Sequence, residues 1–269
     1  MVNMDFAIIG GDARMGCLAS ALRREGYDAR RLTGEEPDFI AGVRDARRIV
    51  MNWPPKLVGK RLISPEELLG NASGDARIYL CGPKSPDELP EGAKAVDLWK
   101  DEALLCENAH LTAEGALQSA MRAGSRSLRE LRCLVIGWGR IGRALVELLV
   151  ALGARVTVAS RSEAGRKRAI ERGAEAIATE DIARVLPGID LVFSTPPAMV
   201  LDAGRLAAAG PETMILDLAS PPYGVDLSAA WARGIRAWRE PGIPGRMYPE
   251  SAGRALMRAI LREEERNHA

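Results

Sequence analysis

Gly137-Trp138-Gly139-Arg140-Ile141-Gly142 stands between the apolar run Arg132-Cys133-Leu134-Val135-Ile136 and the amphipathic stretch from Ile141 to Leu152. In that order of short apolar strand, glycine-rich turn and helix, each glycine has a separate task. Gly137 permits the tight turn, Gly139 lets a pyrophosphate approach the main chain, and Gly142 lets the helix pack closely on the strand. The helix start adds unpaired N–H groups and the positive end of the helix dipole, both suited to phosphate. A second apolar strand, Arg155-Val156-Thr157-Val158-Ala159, follows at the interval a βαβ unit needs. Residues 137–142, with Trp138, Arg140 and Ile141 among them, are therefore read as the phosphate-facing part of a dinucleotide site.

The alternation of short apolar runs with amphipathic segments continues from there. Strands are predicted at 132–136, 155–159, 174–178, 190–194, 213–218 and 235–239, and helices at 141–152, 162–172, 179–186, 202–209 and 226–233. Six strands with five crossovers predict a doubly wound parallel six-stranded dinucleotide-binding domain. The first hundred residues repeat the pattern more weakly, with strands near 5–9, 28–32, 47–52, 77–81 and 94–98 and helices near 13–25, 64–70 and 101–107. The expected fold is α/β, with two Rossmann-like α/β domains. Expected boundaries are 1–108 for an amino-terminal substrate or partner domain, 109–127 for an Ala-rich linking helix, and 128–248 for the dinucleotide domain. A C-terminal helix is expected over 249–269, begun by Pro249 and packing back toward the first domain. The Pro- and Gly-rich stretch from Glu240 to Pro249 reads as a loop, as does Trp53-Pro54-Pro55.

An NAD site usually carries Asp or Glu at the end of its second strand, where the carboxylate accepts from the ribose 2′-OH. Here that strand runs into Ser160-Arg161-Ser162. A guanidinium flanked by hydroxyls suits a 2′-phosphate, so the expected cofactor is NADP; Glu163, close by, is the feature that speaks against it. Thr195-Pro196 and Asp217-Leu218-Ala219 end two further strands at the same edge, where such loops cover a nicotinamide ribose or simply terminate strands. Asp217 would hold a ribose hydroxyl or cap the next turn. At the amino terminus, Gly10-Gly11-Asp12-Ala13-Arg14 looks like a second phosphate loop, but the Asp12 carboxylate would satisfy the helix N–H groups itself and repel phosphate. Arg14 reads instead as a carboxylate or phosphate clamp.

Composition removes several classes of function. Lys and Arg total 37 against 36 Asp and Glu, a net charge of +1, so no global field draws nucleic acid or an anionic membrane. Hydrophobic residues make up 47% of the 269, far from the disordered regime. Cys17, Cys81, Cys106 and Cys133 show no C-x-x-C spacing, and the only histidines are His110 and His268. A disulfide scaffold, a structural zinc site and a multi-histidine metal centre thus lose their raw material, and no metal is expected. Asp5 sits where a signal peptide needs positive charge, and the apolar stretch Ala144 to Ala154 is interrupted by Glu147. A cytoplasmic protein is expected.

Several segments together resemble one family, the A subunits of dipicolinate synthase from spore-forming bacteria. They are Ile9-Gly10-Gly11-Asp12-Ala13-Arg14, Gly137 to Gly142, Ser160-Arg161-Ser162, Ile215-Leu216-Asp217-Leu218-Ala219-Ser220, Pro241-Gly242-Ile243-Pro244-Gly245 and Ala252-Gly253. Asn108, Thr112, Glu114 and Gly115 match a further family pattern. The chain departs from the family at Asn52-Trp53-Pro54-Pro55-Lys56 and at Glu250-Ser251, where a Lys-Thr is expected. The resemblance implies oxidation of a dihydrodipicolinate-type precursor to pyridine-2,6-dicarboxylate, NADP as hydride acceptor, and, as partner, a flavoprotein-like B subunit. A homo-oligomer is also compatible. The substrate's two carboxylates would need cationic or N–H clamps, for which Gly11, Asp12, Arg14 and Lys56 are the candidates.

Two other readings stay open on sequence alone: another two-domain NADP dehydrogenase of a small carboxylic acid, or a nucleotide-binding subunit without catalysis of its own. For catalysis, His110 and Glu114 lie four residues apart in a predicted helix and so share one face. They are the candidate proton-transfer pair.

Overall fold

The computed structural model describes residues 4–52, 68, 70–82 and 94–268. The chain divides into two compact units, Met1–Asn108 together with Pro244–Ala269, and Ala109–Ile243.

In the first unit, β1 (Met4–Ile9), β2 (Ala29–Leu32), β3 (Ala46–Asn52), β4 (Arg77–Cys81) and β5 (Lys94–Asp97) form one sheet in the order β2-β1-β3-β4-β5. Every pairing is parallel. Side chains of a strand alternate between faces, and a parallel sheet covered on both sides needs apolar residues on each. β1 shows this directly: Phe6 and Ile8 join a core with α1 (Ala13–Arg24), while Ala7 and Ile9 join another with Phe39 and Val43 of α2 (Phe39–Asp45). Gly42 lets α2 lie against β2, since a β-carbon there would be 3.0 Å from Leu32 Cδ1. A glycine in mid-helix is a poor propensity signal, which is why sequence reading passes over α2.

Two predicted helices, 101–107 and 109–127, are one. α3 runs unbroken over Glu102–Ala123, because Asn108 alone, without Gly or Pro, does not end a helix. The expected helix 64–70 falls mostly outside the described residues.

The second unit contains β6 (Arg132–Ile136), α4 (Arg140–Ala151), β7 (Arg155–Ala159), α5 (Glu163–Glu171), β8 (Glu175–Ile177), α6 (Ile182–Val185), β9 (Leu191–Ser194), α7 (Ala203–Leu206), β10 (Met214–Asp217), α8 (Leu227–Ala232) and β11 (Arg236–Arg239). Its sheet is parallel throughout, in the order β11-β10-β9-β6-β7-β8. This is the doubly wound dinucleotide-binding order, and its switch point lies between β6 and β9. Ligands in such sheets bind beyond the strand ends at that point.

The chain then re-enters the first unit through α9 (Ile243–Met247), a short helix inside the stretch read as loop, and α10 (Pro249–His268). Ala255, Leu256, Ala259 and Ile260 of α10 cover Met15, Leu18 and Leu22 of α1. The two helices meet closely at Gly253, where a β-carbon would be 2.8 Å from Cys17 Cβ and 2.8 Å from the Leu18 nitrogen. Farther along α10, Glu264 is buried and accepts from the guanidinium groups of Arg48 and Arg77 and from the Tyr79 hydroxyl. Burial drives the Glu264 carboxyl up, but those donors outweigh it and hold it below the usual range. No helix among the described residues is long and apolar enough to cross a membrane.

Candidate dinucleotide site

At the switch point of the second unit, the loop after β6 faces a cleft of about 790 Å³. Gly137, Trp138 and Gly139 line it from β6, Ser160, Arg161 and Ser162 from β7, and Thr195 and Pro196 from β9. Three strand ends, 23 to 58 residues apart in the chain, thus converge on one concavity.

Each glycine of the loop meets a distinct constraint. Gly137 adopts φ +99°, and a β-carbon there would lie 2.5 Å from Thr195 Oγ1. At Gly142 a β-carbon would lie 2.1 Å from the Gly137 carbonyl oxygen, so α4 can approach the turn only because the side chain is missing. Gly139 has ordinary extended backbone, φ −83° and ψ −168°, and open space where its side chain would be. That empty cradle stands at the start of α4, which has no side-chain cap and no acidic residue in its first turn. A helix start without a side-chain cap or an acidic first turn suits an anion. The start of α1 is the opposite case. Asp12 caps it, accepting from the Arg14 N–H at 3.0 Å, and both Nε and Nη2 of Arg14 close on the same carboxylate. The donor set of the second unit fits the phosphates of a dinucleotide; that of the first does not.

At the end of β7, Ser162 caps α5 by accepting from the Gly165 N–H at 3.0 Å. Ser160 is buried, whereas the Arg161 side chain is exposed toward the cleft. Arg166, unmarked by any sequence motif, holds the turn by donating to the carbonyls of Ser160 at 2.8 Å and Arg161 at 3.1 Å. The Thr195 hydroxyl donates to the Ile136 carbonyl at 2.8 Å, which ties the β9 loop to β6.

Residues 104–219 match the NAD-binding domain of the D-isomer-specific 2-hydroxyacid dehydrogenases. The A subunit of dipicolinate synthase from Bacillus subtilis is 34% identical over 167 residues, 62% of this chain and 56% of that protein. Among solved structures, the A subunit of the Bacillus halodurans dipicolinate synthase superposes with a TM-score of 0.82 at 25% identity, over 97% of both chains. Its counterpart from Bacillus subtilis does so with a TM-score of 0.82 at 25% identity, over 100% of this chain and 99% of that one. This chain is a relative of the dipicolinate synthase A subunits. Its second unit carries a nicotinamide-dinucleotide-binding domain, and the alignment with the Bacillus subtilis sequence spans a little over half of that relative's length.

Set beside that kinship, some expected site residues are displaced. Arg140, Ile141 and Gly142 form the first turn of α4 directly behind Gly139, so what they offer the cleft is the helix start rather than side chains on its wall. Asp217 is not available to a ribose hydroxyl. It is fully buried, and its carboxylate is taken by the N–H groups of Ala219, Gly224 and Val225 and by Arg239 Nε at 3.3 Å. Its role is to pin the loop after β10, and Ala219 lies in that loop rather than in the cleft. Arg14 is a clamp already closed on Asp12, and burial of the Asp12 carboxyl is outweighed by those Arg14 bonds, so it stays low. Gly11, at φ +73°, has its carbonyl taken by Arg31 Nη2 at 2.7 Å. Lys56 lies outside the described residues. His110 and Glu114 share the exposed face of α3, opposite the buried Ala109, Ala113, Ala116 and Ala120, and neither lines the cleft. Thr179, Glu180 and Arg205 line it although sequence does not single them out, since they lie just after β8 and within the one-turn helix α7, neither of which carries a motif.

Proposed function

We propose that this chain is the NADP-dependent dehydrogenase subunit of a dipicolinate synthase, oxidising a dihydrodipicolinate-type ring to pyridine-2,6-dicarboxylate. The observation that carries the reading is the β7 end, where Ser160-Arg161-Ser162 enters the cleft with no carboxylate among them, in a chain related to dipicolinate synthase A subunits. A bound nicotinamide would supply the hydride acceptor. Gly139 and the first turn of α4 would hold the pyrophosphate and Arg161 the 2′-phosphate, with Thr195 and Pro196 lining the cleft at β9. Loss of hydride and proton makes the ring aromatic, so the driving force lies in the substrate. Glu114, with His110 one turn away on the same exposed face of α3, is the candidate proton acceptor, although neither residue lines the dinucleotide cleft. For the substrate's carboxylates the candidate is Arg14, which keeps one nitrogen beyond its Asp12 bonds, with Asp12 orienting that guanidinium and Gly11 and Lys56 as the further candidates. A B subunit completes the enzyme, in keeping with the subunit names of its relatives.

Arg161→Ala is expected to weaken NADP by about 1.5–3 kcal/mol, the scale of a hydrogen bond to a charged group, and to leave NAD nearly unchanged. Calorimetric titration of both cofactors decides it; equal loss for both removes Arg161 from the 2′-phosphate. With saturating NADP and freshly generated dihydrodipicolinate, followed by the ultraviolet absorbance of the product, Glu114→Gln is expected to cut kcat about 100-fold, as removal of a proton-transfer group does. A change below about threefold would assign the proton elsewhere, and no product from the wild-type chain, with or without a B subunit, would end the dipicolinate reading.

A further inference from the structure

Trp138, the residue between the first two loop glycines, carries an indole N–H that is withdrawn from solvent and has no hydrogen-bond partner. Native folds rarely leave such a donor unmatched, and an indole N–H can only donate. Its surroundings indicate what it awaits. A β-carbon on Gly165 would lie 2.7 Å from Ser160 Oγ, 2.8 Å from Ser162 Oγ and 3.3 Å from Trp138 Cδ1, the ring carbon bonded to Nε1. Two hydroxyls and the pyrrole edge of the indole thus converge over the first turn of α5, made possible by the missing side chain of Gly165. Arg161 stands at the same strand end, and Arg166 braces its carbonyl. Glu163 of α5 and Glu180 of the cleft wall are both exposed.

We propose that Trp138 is a specificity-determining residue whose indole N–H donates to the 2′-phosphate of the adenosine ribose. The inference rests on the NADP reading above and adds a neutral donor to it. A phosphate carries several acceptor oxygens and negative charge, so it can take the indole N–H and the Arg161 guanidinium together, whereas a neutral ribose 2′-hydroxyl offers one oxygen and gains little from both.

The test titrates the whole chain and its Trp138→Phe variant with NADP, NAD, 2′,5′-adenosine bisphosphate and 5′-AMP, and records the indole N–H resonances of the wild type. Phenylalanine keeps the aromatic wall and deletes the donor. The expected result is about a tenfold loss for the two 2′-phosphorylated ligands, with NAD and 5′-AMP within about twofold. In the wild type, the Trp138 N–H resonance moves downfield with the bisphosphate and stays in place with 5′-AMP. Equal loss for all four ligands, or no loss, overturns the proposal while leaving the NADP reading standing. A wild type that binds NAD as tightly as NADP overturns both. Should the variant not fold, an unmoved resonance in the wild type overturns the role of Trp138.

Discussion

Gly139→Val abolishes dinucleotide binding and leaves the unliganded melting temperature within a few degrees of wild type. The two halves of that result come from different features of one position. In the free protein a side chain at 139 meets nothing within 4 Å, and φ −83° suits any residue, so the fold tolerates valine. In the complex the branched side chain stands where the pyrophosphate must lie, above the uncapped start of α4. Calorimetry is expected to show no binding at ligand concentrations a hundred times the wild-type Kd. Affinity retained within threefold would mean that the loop is only a turn. The neighbouring glycine gives the contrast. At Gly142 the new β-carbon would collide with the Gly137 carbonyl at 2.1 Å, so substitution there disrupts the unliganded fold as well.

Glu264→Ala is the second large effect, and it acts on the first unit alone. The carboxylate lies between Arg48 and Arg77, which are direct partners across β3 and β4, and it also accepts from the buried Tyr79. Removing it leaves two like charges opposed in the ladder and a phenol without an acceptor. Loss of one member of a buried ion pair costs about 3–5 kcal/mol, and partial exposure of the two guanidinium groups puts the expectation near 3 kcal/mol. Denaturant titration measures it; a loss below about 1 kcal/mol would mean that the network is solvated. The pH dependence has a definite sign. A carboxylate held below its unfolded value stabilises fully above that value, about 4.3 for Glu, and the contribution disappears as pH falls through the folded value. Asp101, beside the Leu104 N–H and Arg262, and Asp190, beside the Arg132 N–H and Arg126, are held low in the same way against their own burial. The wild type is therefore expected to lose stability steadily below about pH 4.5, and Glu264→Gln to show a shallower acid limb.

What sequence reveals here depends on how far apart the interacting residues lie. The glycine loop is legible because its meaning is local: turn, open cradle and helix start occupy six consecutive residues. Strands of a parallel sheet are legible because burial on both faces makes them continuously apolar. Arg14 is open to misreading because its carboxylate partner, Asp12, is itself part of the motif that draws attention, and a motif does not say which way its side chains turn. Asp217 illustrates the same gap, since only the folded loop shows its oxygens already occupied. Glu264 cannot be found from sequence at all. Its partners are 216 and 187 residues away, and nothing in a helical Arg-Glu-Glu-Glu-Arg run marks one glutamate as buried. Arg166 and Trp138 fall between these cases: each lies beside a legible motif, and each is assigned a role only by the carbonyls it holds or the acceptor it lacks.

The first unit is assembled from residues 1–108 and 244–269, with the whole of the second unit inserted between them. On the ribosome, the inserted unit is complete in sequence while the first still lacks the helix that covers Met15, Leu18 and Leu22. Chains truncated after residue 243 and released should then display a protease-resistant dinucleotide domain behind a protease-sensitive amino-terminal half, because domains fold as units. Chain order thereby lets the inserted unit complete itself without α10 and leaves α10 to complete the unit whose other residues precede the insertion.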